Sequence, residues 1–479
     1  FKDNLANYKE LTSQVDGEGI PVTSNPETSG RYHTDWLNMM YPRLRLARNL
    51  LTEDGVIFMS IDDNEVHNLR KVCDEVFGEI NFISQISWKR KKEISNDSKN
   101  VAIQGEYILC YGKKETQLKL EPLSNEYIKK SYNDPTPDFP NGKWRPVPLT
   151  VSKGLRGGGY TYTVKTPTGI EHTRLWAYPQ KSYEKLVNEG LVYFGKDKSG
   201  VPQKVMYRNQ SKGQPISNYW DSIATNKEGK KDILATFGDN VFETPKPTGL
   251  IIKMLKIAVD NEDVILDFFS GSATTAHAVM QLNAEDGGNR KHIMVQLPET
   301  TDEKSEAYKA GYKNICEIGK ERIRRAGEQI KTNLQEKWDK ATEEERKEMK
   351  NPSELDTGFK VFQLDTSNIK RWNPSEDLDA DKLDLFLKEN IDNYVEGRTE
   401  GDVLYEVILK MGLELTYPIE EVVSEKGTKI YSVALGALMV CLGNRIDLDV
   451  ANKMIELHHE LQPETWRVLF KDNGFIDDQ

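Results

Sequence analysis

The chain has 479 residues, enough for roughly two to four domains, with 37% hydrophobic and 29% charged residues. No apolar run approaches the ~20 residues needed to cross a bilayer and no secretory signal is visible, so the expectation is a soluble, cytoplasmic globular protein. Net charge is −11, which taken alone argues against a nucleic-acid partner.

In chain order, residues 34–51 read as an amphipathic helix: Leu37, Met40, Leu44, Ala47 and Leu51 recur at helical steps, with Thr34 placed to cap the start. "GVIFMSID" (55–62) has the look of a buried parallel strand, and "NEVHNLRKVCDEVFG" (64–78) of a helix stopped by Gly78. "NFISQISWKR" (81–90) and "EYILCYGKK" (106–114) read as further strands. Alternating strand and helix predicts an α/β architecture with a mainly parallel sheet. From about 115 to 240, Pro, Gly, Tyr and Trp punctuate short strands, which predicts a β-rich insert. The α/β pattern then returns with a helix in "KPTGLIIKMLKIAV", the segment "VILDFFSGSATTAHAVMQ" (264–281), a buried strand in "KHIMVQLPE" (291–299) and a long charged helix over about 303–349. "GFKVFQLD" (358–365) reads as a strand, and the rest mixes helix and strand.

Charge is unevenly spread. Residues 151–230 hold 13 Lys and Arg against 6 Asp and Glu, a net +7, whereas residues 375–479 hold 10 against 23, a net −13. One region suits phosphate and another faces solvent or protein. The cysteines Cys73, Cys110, Cys316 and Cys441 stand far apart with no CxxC pair, which disfavours zinc and disulfides and fits reduced cytoplasmic thiols. His458 and His459 are adjacent, so in a helix they point about 100° apart and do not share a metal. We expect no metal site.

The segment 264–281 is a strand ending in an acid, a small-residue turn and a helix beginning near Ala276. Gly271 allows close backbone approach to a ligand beyond the strand end, where the next helix points free amides outward. Asp267 can accept from a ligand amine or order the loop. Phe268 and Phe269 can pack on an adenine ring or fill the core. The turn matches neither the dinucleotide GxGxxG nor the GxxxxGK[ST] phosphate loop, which disfavours a nicotinamide enzyme and an ATPase.

"DFFSGSATTAH" together with "FETPKPTGLI" (242–251) and "HTDWLNMMYPRLRLARNLLTEDGVIFMSIDDNEVHNLR" (33–70) closely resembles the modification (Mod) subunits of type III restriction–modification systems, which are adenine-N6 DNA methyltransferases of the β arrangement. The likeness runs in order from about residue 30 to 370. It implies a Rossmann-like sheet dependent on S-adenosylmethionine, double-stranded DNA as substrate, a helicase–nuclease partner (Res) and a Mod homodimer. By the same resemblance Asp267, Phe268, Phe269, Gly271 and Ser272 match the cofactor loop, and Lys246 and Pro247 match the element beside the methionine end. Glu299 falls where an acid meets the ribose. Ala273 departs from the family, where Gly is frequent; its methyl is tolerable if φ there is negative.

The implied domains are a catalytic half over 1–114, a target-recognition insert over 115–240, a cofactor half over 241–370 and an acidic C-terminal domain over 371–479. The order places the cofactor motif late because the catalytic half comes first. The family's chemistry rests on an (Asp/Asn/Ser)-Pro-Pro-(Tyr/Phe) tetrapeptide, whose acceptors polarise the amine while its aromatic residue stacks on a flipped base. It is absent: "NDPTPDFP" (133–140) and "NPSE" (373–376) have no apolar strand before them. The chain opens on Phe1 rather than Met, so the expectation is a piece of a longer polypeptide with the tetrapeptide upstream, inactive by itself.

Trp88 can line the base pocket or the core. Asp62 and Asp63 can border the cleft or cap the next helix. Lys89, Arg90, Lys91 and Lys92 can meet phosphates or only solvent. In the insert Arg156, Arg174 and Arg208 are candidate base readers. Competing readings are a sequence-reading assembly subunit for a nuclease, an orphan methyltransferase and a cytosine-N4 enzyme.

Overall fold

A computed structural model describes residues 32–94, 100–151, 158–370 and 394–476. Arg156 lies outside the described residues. The chain divides into two compact units, 1–358 and 359–479.

The first unit opens with α1 (Tyr32–Leu50), β1 (Val56–Ile61), α2 (Val66–Phe77), β2 (Phe82–Lys89) and β3 (Gly105–Gly112). Met40, Leu44 and Ala47 of α1 meet Leu69, Cys73, Val76 and Phe77 of α2 over Ile57 and Met59 of β1. Burying such side chains contributes about 1.5–3 kcal/mol each, so the three- and four-residue spacing decides which helix faces turn inward. Thr34 lies inside α1 and does not cap it. The parallel-sheet expectation is corrected here: β3 pairs antiparallel with both β1 and β2. A continuous apolar run marks burial on both faces, and says nothing of the neighbour's direction.

The insert follows with α3 (Asn125–Ser131), β4 (Trp144–Pro148), β5 (Tyr160–Lys165), β6 (Glu171–Trp176), α4 (Gln180–Asn188), β7 (Val192–Tyr193) and β8 (Gln203–Tyr207). It forms a three-stranded sheet, order β4-β8-β7, and a β5–β6 hairpin. Its two clusters are built on Trp144 with Tyr207 and on Trp176 with Tyr183. A bridge between Glu121 and Gln214 closes its neck. After the insert's sheet, β9 (Tyr219–Trp220) pairs parallel with β2.

The chain re-enters through α5 (Asn226–Phe237) and α6 (Thr248–Ala258). Next come β10 (Val264–Asp267), α7 (Thr274–Asp286) and β11 (Lys291–Met294), a βαβ unit with β10 and β11 parallel. Leu255 of α6 packs with Ala278, Val279 and Leu282 of α7. The buried strand expected at 291–299 is shorter and half-bare: Ile293, Val295 and Leu297 are exposed. The long helix expected over 303–349 is broken into α8 (Glu306–Lys309), α9 (Ile315–Lys340) and α10 (Glu343–Arg346). Asn314 starts α9 by accepting the Glu317 amide at 3.1 Å.

The second unit holds α11 (Glu400–Lys410), β12 (Ile419–Val423), β13 (Lys429–Val433), β14 (Leu438–Cys441), α12 (Leu448–Leu461) and β15 (Arg467–Phe470) in one sheet of order β12-β13-β14-β15. Alternate residues of β14 feed two cores. Leu438 and Val440 meet Val403, Leu404 and Val407 of α11, while Met439 and Cys441 meet Val450 and Met454 of α12. Residues 358–365 form no strand: no ladder bonds hold them, and the division after Gly358 puts most of them in this unit.

Candidate active site

The turn after β10 is held by its own side chains. The Asp267 carboxylate accepts the Phe269 amide at 3.2 Å and the Thr275 hydroxyl at 2.6 Å, so of its two roles the loop-ordering one is filled. Gly271 sits at φ +49, where glycine is least strained, and its amide donates to the Gln296 side chain at 2.7 Å. Ala273 is also left-handed, at φ 57, so the condition placed on its methyl fails. Phe268 packs on the α1–α2 core, whereas Phe269 is 53% exposed, its ring 5.2 Å from that of Phe268. Ser272 is buried, and its hydroxyl accepts from Arg322 at 2.9 Å.

Lys246 and Pro247 lead into α6, with Pro247 at the cap position. Lys246 pairs with the buried carboxylate of Glu106, which also takes Arg90 Nη1 at 2.7 Å. The Lys246 ammonium lies 5.2 Å from the Trp88 ring. This cluster fixes where two of the candidate residues lie. Trp88 is fully buried, donates to the Ala224 carbonyl at 3.0 Å and packs with Ile86, Trp220 and Leu250, so its ring is not open to a base. Arg90 turns inward to Glu106 instead of out to phosphate.

Lys246 and Glu106 open onto a cleft of about 530 Å³ bordered by Trp36, Ile61, Asp62, Asn64 and Glu65. Asp62 both borders it and braces the Asn64 amide at 3.1 Å; Asp63 is exposed and the helix cap is Glu65. Glu65 is fixed by His33 at 2.5 Å and Asn68 at 2.8 Å. The cleft wall thus carries the carboxyl groups of Asp62, Glu65 and Glu106 and the Lys246 ammonium, with Glu106 shared between Lys246 and Arg90 and Glu65 bonded to His33. Among the described residues no group of three His, Cys, Asp or Glu could hold a metal.

What joins the turn to the lysine–proline element is a residue outside both. Arg322 of α9, fully buried, donates through Nη1 to Thr274 Oγ1 at 2.6 Å and Ser272 Oγ at 2.9 Å, and through Nη2 to Thr248 Oγ1 at 3.3 Å. Asp232 of α5 accepts the Thr248 amide at 2.9 Å. Burial pulls Arg322 down to about 10, still charged at neutral pH. Burial and the nearby Arg322 charge push His277, whose Nδ1 is enclosed without a partner, down to about 3.

Glu299 is exposed, beyond the end of β11; on the β11 side the turn meets Gln296 and the Val295 carbonyl, which accepts the Ser270 amide at 3.2 Å. In the insert, Arg174 is exposed on β6 and Arg208 half-buried after β8. Lys91 and Lys92 are exposed, Lys92 pairing with Glu228 at 3.3 Å. Glu106, Gln296 and Arg322 escaped the sequence reading. Only Arg322 left a trace there, as a cation in the apolar stripe Ile318, Ala326, Ile330, Leu334.

The sequence family described as DNA methylase matches residues 23–328, which contain every element of this site. The chain belongs to the DNA methylase family. Over 302 residues it is 62% identical to the Type III restriction-modification enzyme StyLTI Mod subunit of Salmonella typhimurium, covering 63% of this chain and 46% of that protein. It is 31% identical to the EcoP15I Mod subunit of Escherichia coli, covering 69% and 53%. To the Type II methyltransferase M.KpnI of Klebsiella pneumoniae it is 30% identical, covering 60% and 72%. The chain thus spans about half the length of the two Mod subunits. The resemblance read from the motifs is that of a DNA methylase, and the Lys246 cleft and Gly271 turn lie in its family region.

Proposed function

We propose that this chain is the donor-binding and DNA-reading part of a type III modification subunit, which transfers a methyl group from S-adenosylmethionine to adenine N6 in double-stranded DNA. The observation that carries the reading is the DNA methylase match over 23–328, supported by the likeness to Mod subunits. The site residues fit the donor. The exposed Phe269 ring suits a purine, Lys246 suits the methionine carboxylate, and Asp62, Glu65 and Glu106 favour the ammonium and sulfonium. When bound, that cofactor supplies an activated methyl on a cationic sulfur. Glu106 pairs with Lys246, and Gln296 fixes the Gly271 bend by accepting its amide. Glu299 is assigned the looser role of ribose contact. No Pro-Pro tetrapeptide occurs in the 479 residues, so no catalytic residue is assigned within them. The basic insert, through Arg174 and Arg208, is assigned base reading. Cytosine N4 is the alternative acceptor, since both amines need similar polarisation.

A second reading, a sequence-reading assembly subunit for a helicase–nuclease, draws on the acidic compact unit 359–479, which lies outside the family match. Under either reading the subunit works in the cytoplasm as a dimer on DNA. The test is titration of the chain with S-adenosylmethionine and with duplex DNA. We expect saturable donor binding that Lys246→Ala weakens, and DNA affinity that falls steeply with salt. Absence of donor binding would end the first reading. Sequencing DNA modified by the whole protein separates adenine N6 from cytosine N4.

A further inference from the structure

We infer that Arg322 is a positioning residue: its buried guanidinium ties the Gly271 turn to the lysine–proline element, so that the two halves of the donor site keep one spacing. The inference rests on the donor-binding reading above. Arg322 occupies the middle of the apolar stripe of α9, where Ile318, Ala326, Ile330 and Leu334 face the core. An aliphatic residue would suit packing better there, because burying a cation costs free energy unless its hydrogen bonds compensate. No carboxylate lies within ion-pair distance of Arg322 among the described residues. Its side-chain partners are three hydroxyls, Ser272, Thr274 and Thr248.

Those hydroxyls belong to different pieces of the site. Ser272 stands in the turn beside Gly271, and Thr274 opens α7. Thr248 opens α6, two residues after Lys246. Sequence separates Thr248 from Thr274 by the whole of α6 and β10, and one rigid planar fork spans both. A guanidinium holds such divergent donors in fixed geometry, which an ammonium on a flexible stem does not. Asp232 completes the arrangement by accepting the Thr248 amide, which places a negative charge near the guanidinium without contacting it.

The test uses the whole 479-residue chain and S-adenosylhomocysteine as the calorimetric probe, with duplex DNA binding and thermal melting recorded beside it. Arg322→Lys and Ser272→Ala are expected to stay folded and keep DNA affinity within about twofold, while donor-site affinity falls about tenfold, the weight of one or two lost hydrogen bonds. Arg322→Leu, which matches the stripe, is expected to lose more, with lysine restoring part. In the whole protein the Michaelis constant for the donor rises more than turnover falls. Unchanged probe affinity in folded Arg322→Lys and Ser272→Ala overturns the inference. So does a parallel fall of probe affinity, DNA affinity and melting temperature, which marks a purely structural brace. Failure of the unsubstituted chain to bind the probe refutes the donor-binding reading instead.

Discussion

Ala273 shows how opposed small terms decide a single position. Its left-handed backbone costs about 1–2 kcal/mol for a residue with a Cβ. Changing it to glycine removes that strain, but raises unfolded-state entropy by about 0.4–1 kcal/mol and uncovers a buried methyl worth about 0.8 kcal/mol. The terms nearly cancel, so Ala273→Gly is expected to move stability by less than about 1 kcal/mol, although the side chain is only 2% exposed. A urea midpoint shift larger than that would contradict the balance. Ala273→Val has no such relief, since a branched Cβ is poorly tolerated at φ 57, and it is expected to destabilise clearly.

One helical turn beyond Ala273, His277 carries a pH signature. Its ordinary value is 6.5 and burial beside Arg322 lowers it to about 3. Between those values the unfolded chain binds a proton that the folded chain refuses, so stability falls as pH drops from 6.5 toward 3. Above 6.5 the imidazole is neutral in both states and contributes no slope. His277→Gln should flatten that part of the stability–pH curve; an unchanged slope would show that other groups cause it.

At the scale of elements, the lysine–proline segment depends on how closely α5 approaches it. A Cβ on Gly229 would stand 2.5 Å from the Pro245 carbonyl oxygen and 3.1 Å from the Pro247 nitrogen. Glycine within a helix costs up to about 1 kcal/mol relative to alanine, and here that weakness permits backbone contact. Gly229→Ala gains propensity and loses more: displacing the segment costs about 1–3 kcal/mol as overpacking, and Lys246 moves with it. Lower melting temperature together with weaker donor binding is the expected result. A more stable variant would mean that α5 shifts freely. The helices and most strands of this region were legible because apolar spacing is a local pattern. The direction of β3 and the breaks around α9 were not, since pairing direction and helix ends depend on partners distant in sequence.

For the whole molecule, the two compact units each bury a core of their own, Met40 with Leu69 and Leu109 in the first, Val403 with Val440 in the second. The second unit, 359–479, is of a size that unfolds cooperatively by itself. Calorimetry on the whole chain should therefore resolve two transitions, and a single sharp transition would indicate coupling between the units. Charge follows the same division of labour: the +7 of residues 151–230 falls largely in the insert, and the −13 of residues 375–479 in the second unit.

By itself the sequence determined the family and the Gly271 turn, because motif phrases and helical periodicity are written in neighbouring residues. Tertiary structure alone decided that Trp88 and Arg90 turn inward, that Gln296 meets the turn, that Glu106 takes both Lys246 and Arg90, and that Arg322 reaches Ser272, Thr274 and Thr248. Those contacts join residues up to 140 positions apart, as Glu106 and Lys246 are. Local composition carries no record of which distant side chain the folded backbone will bring within hydrogen-bond reach.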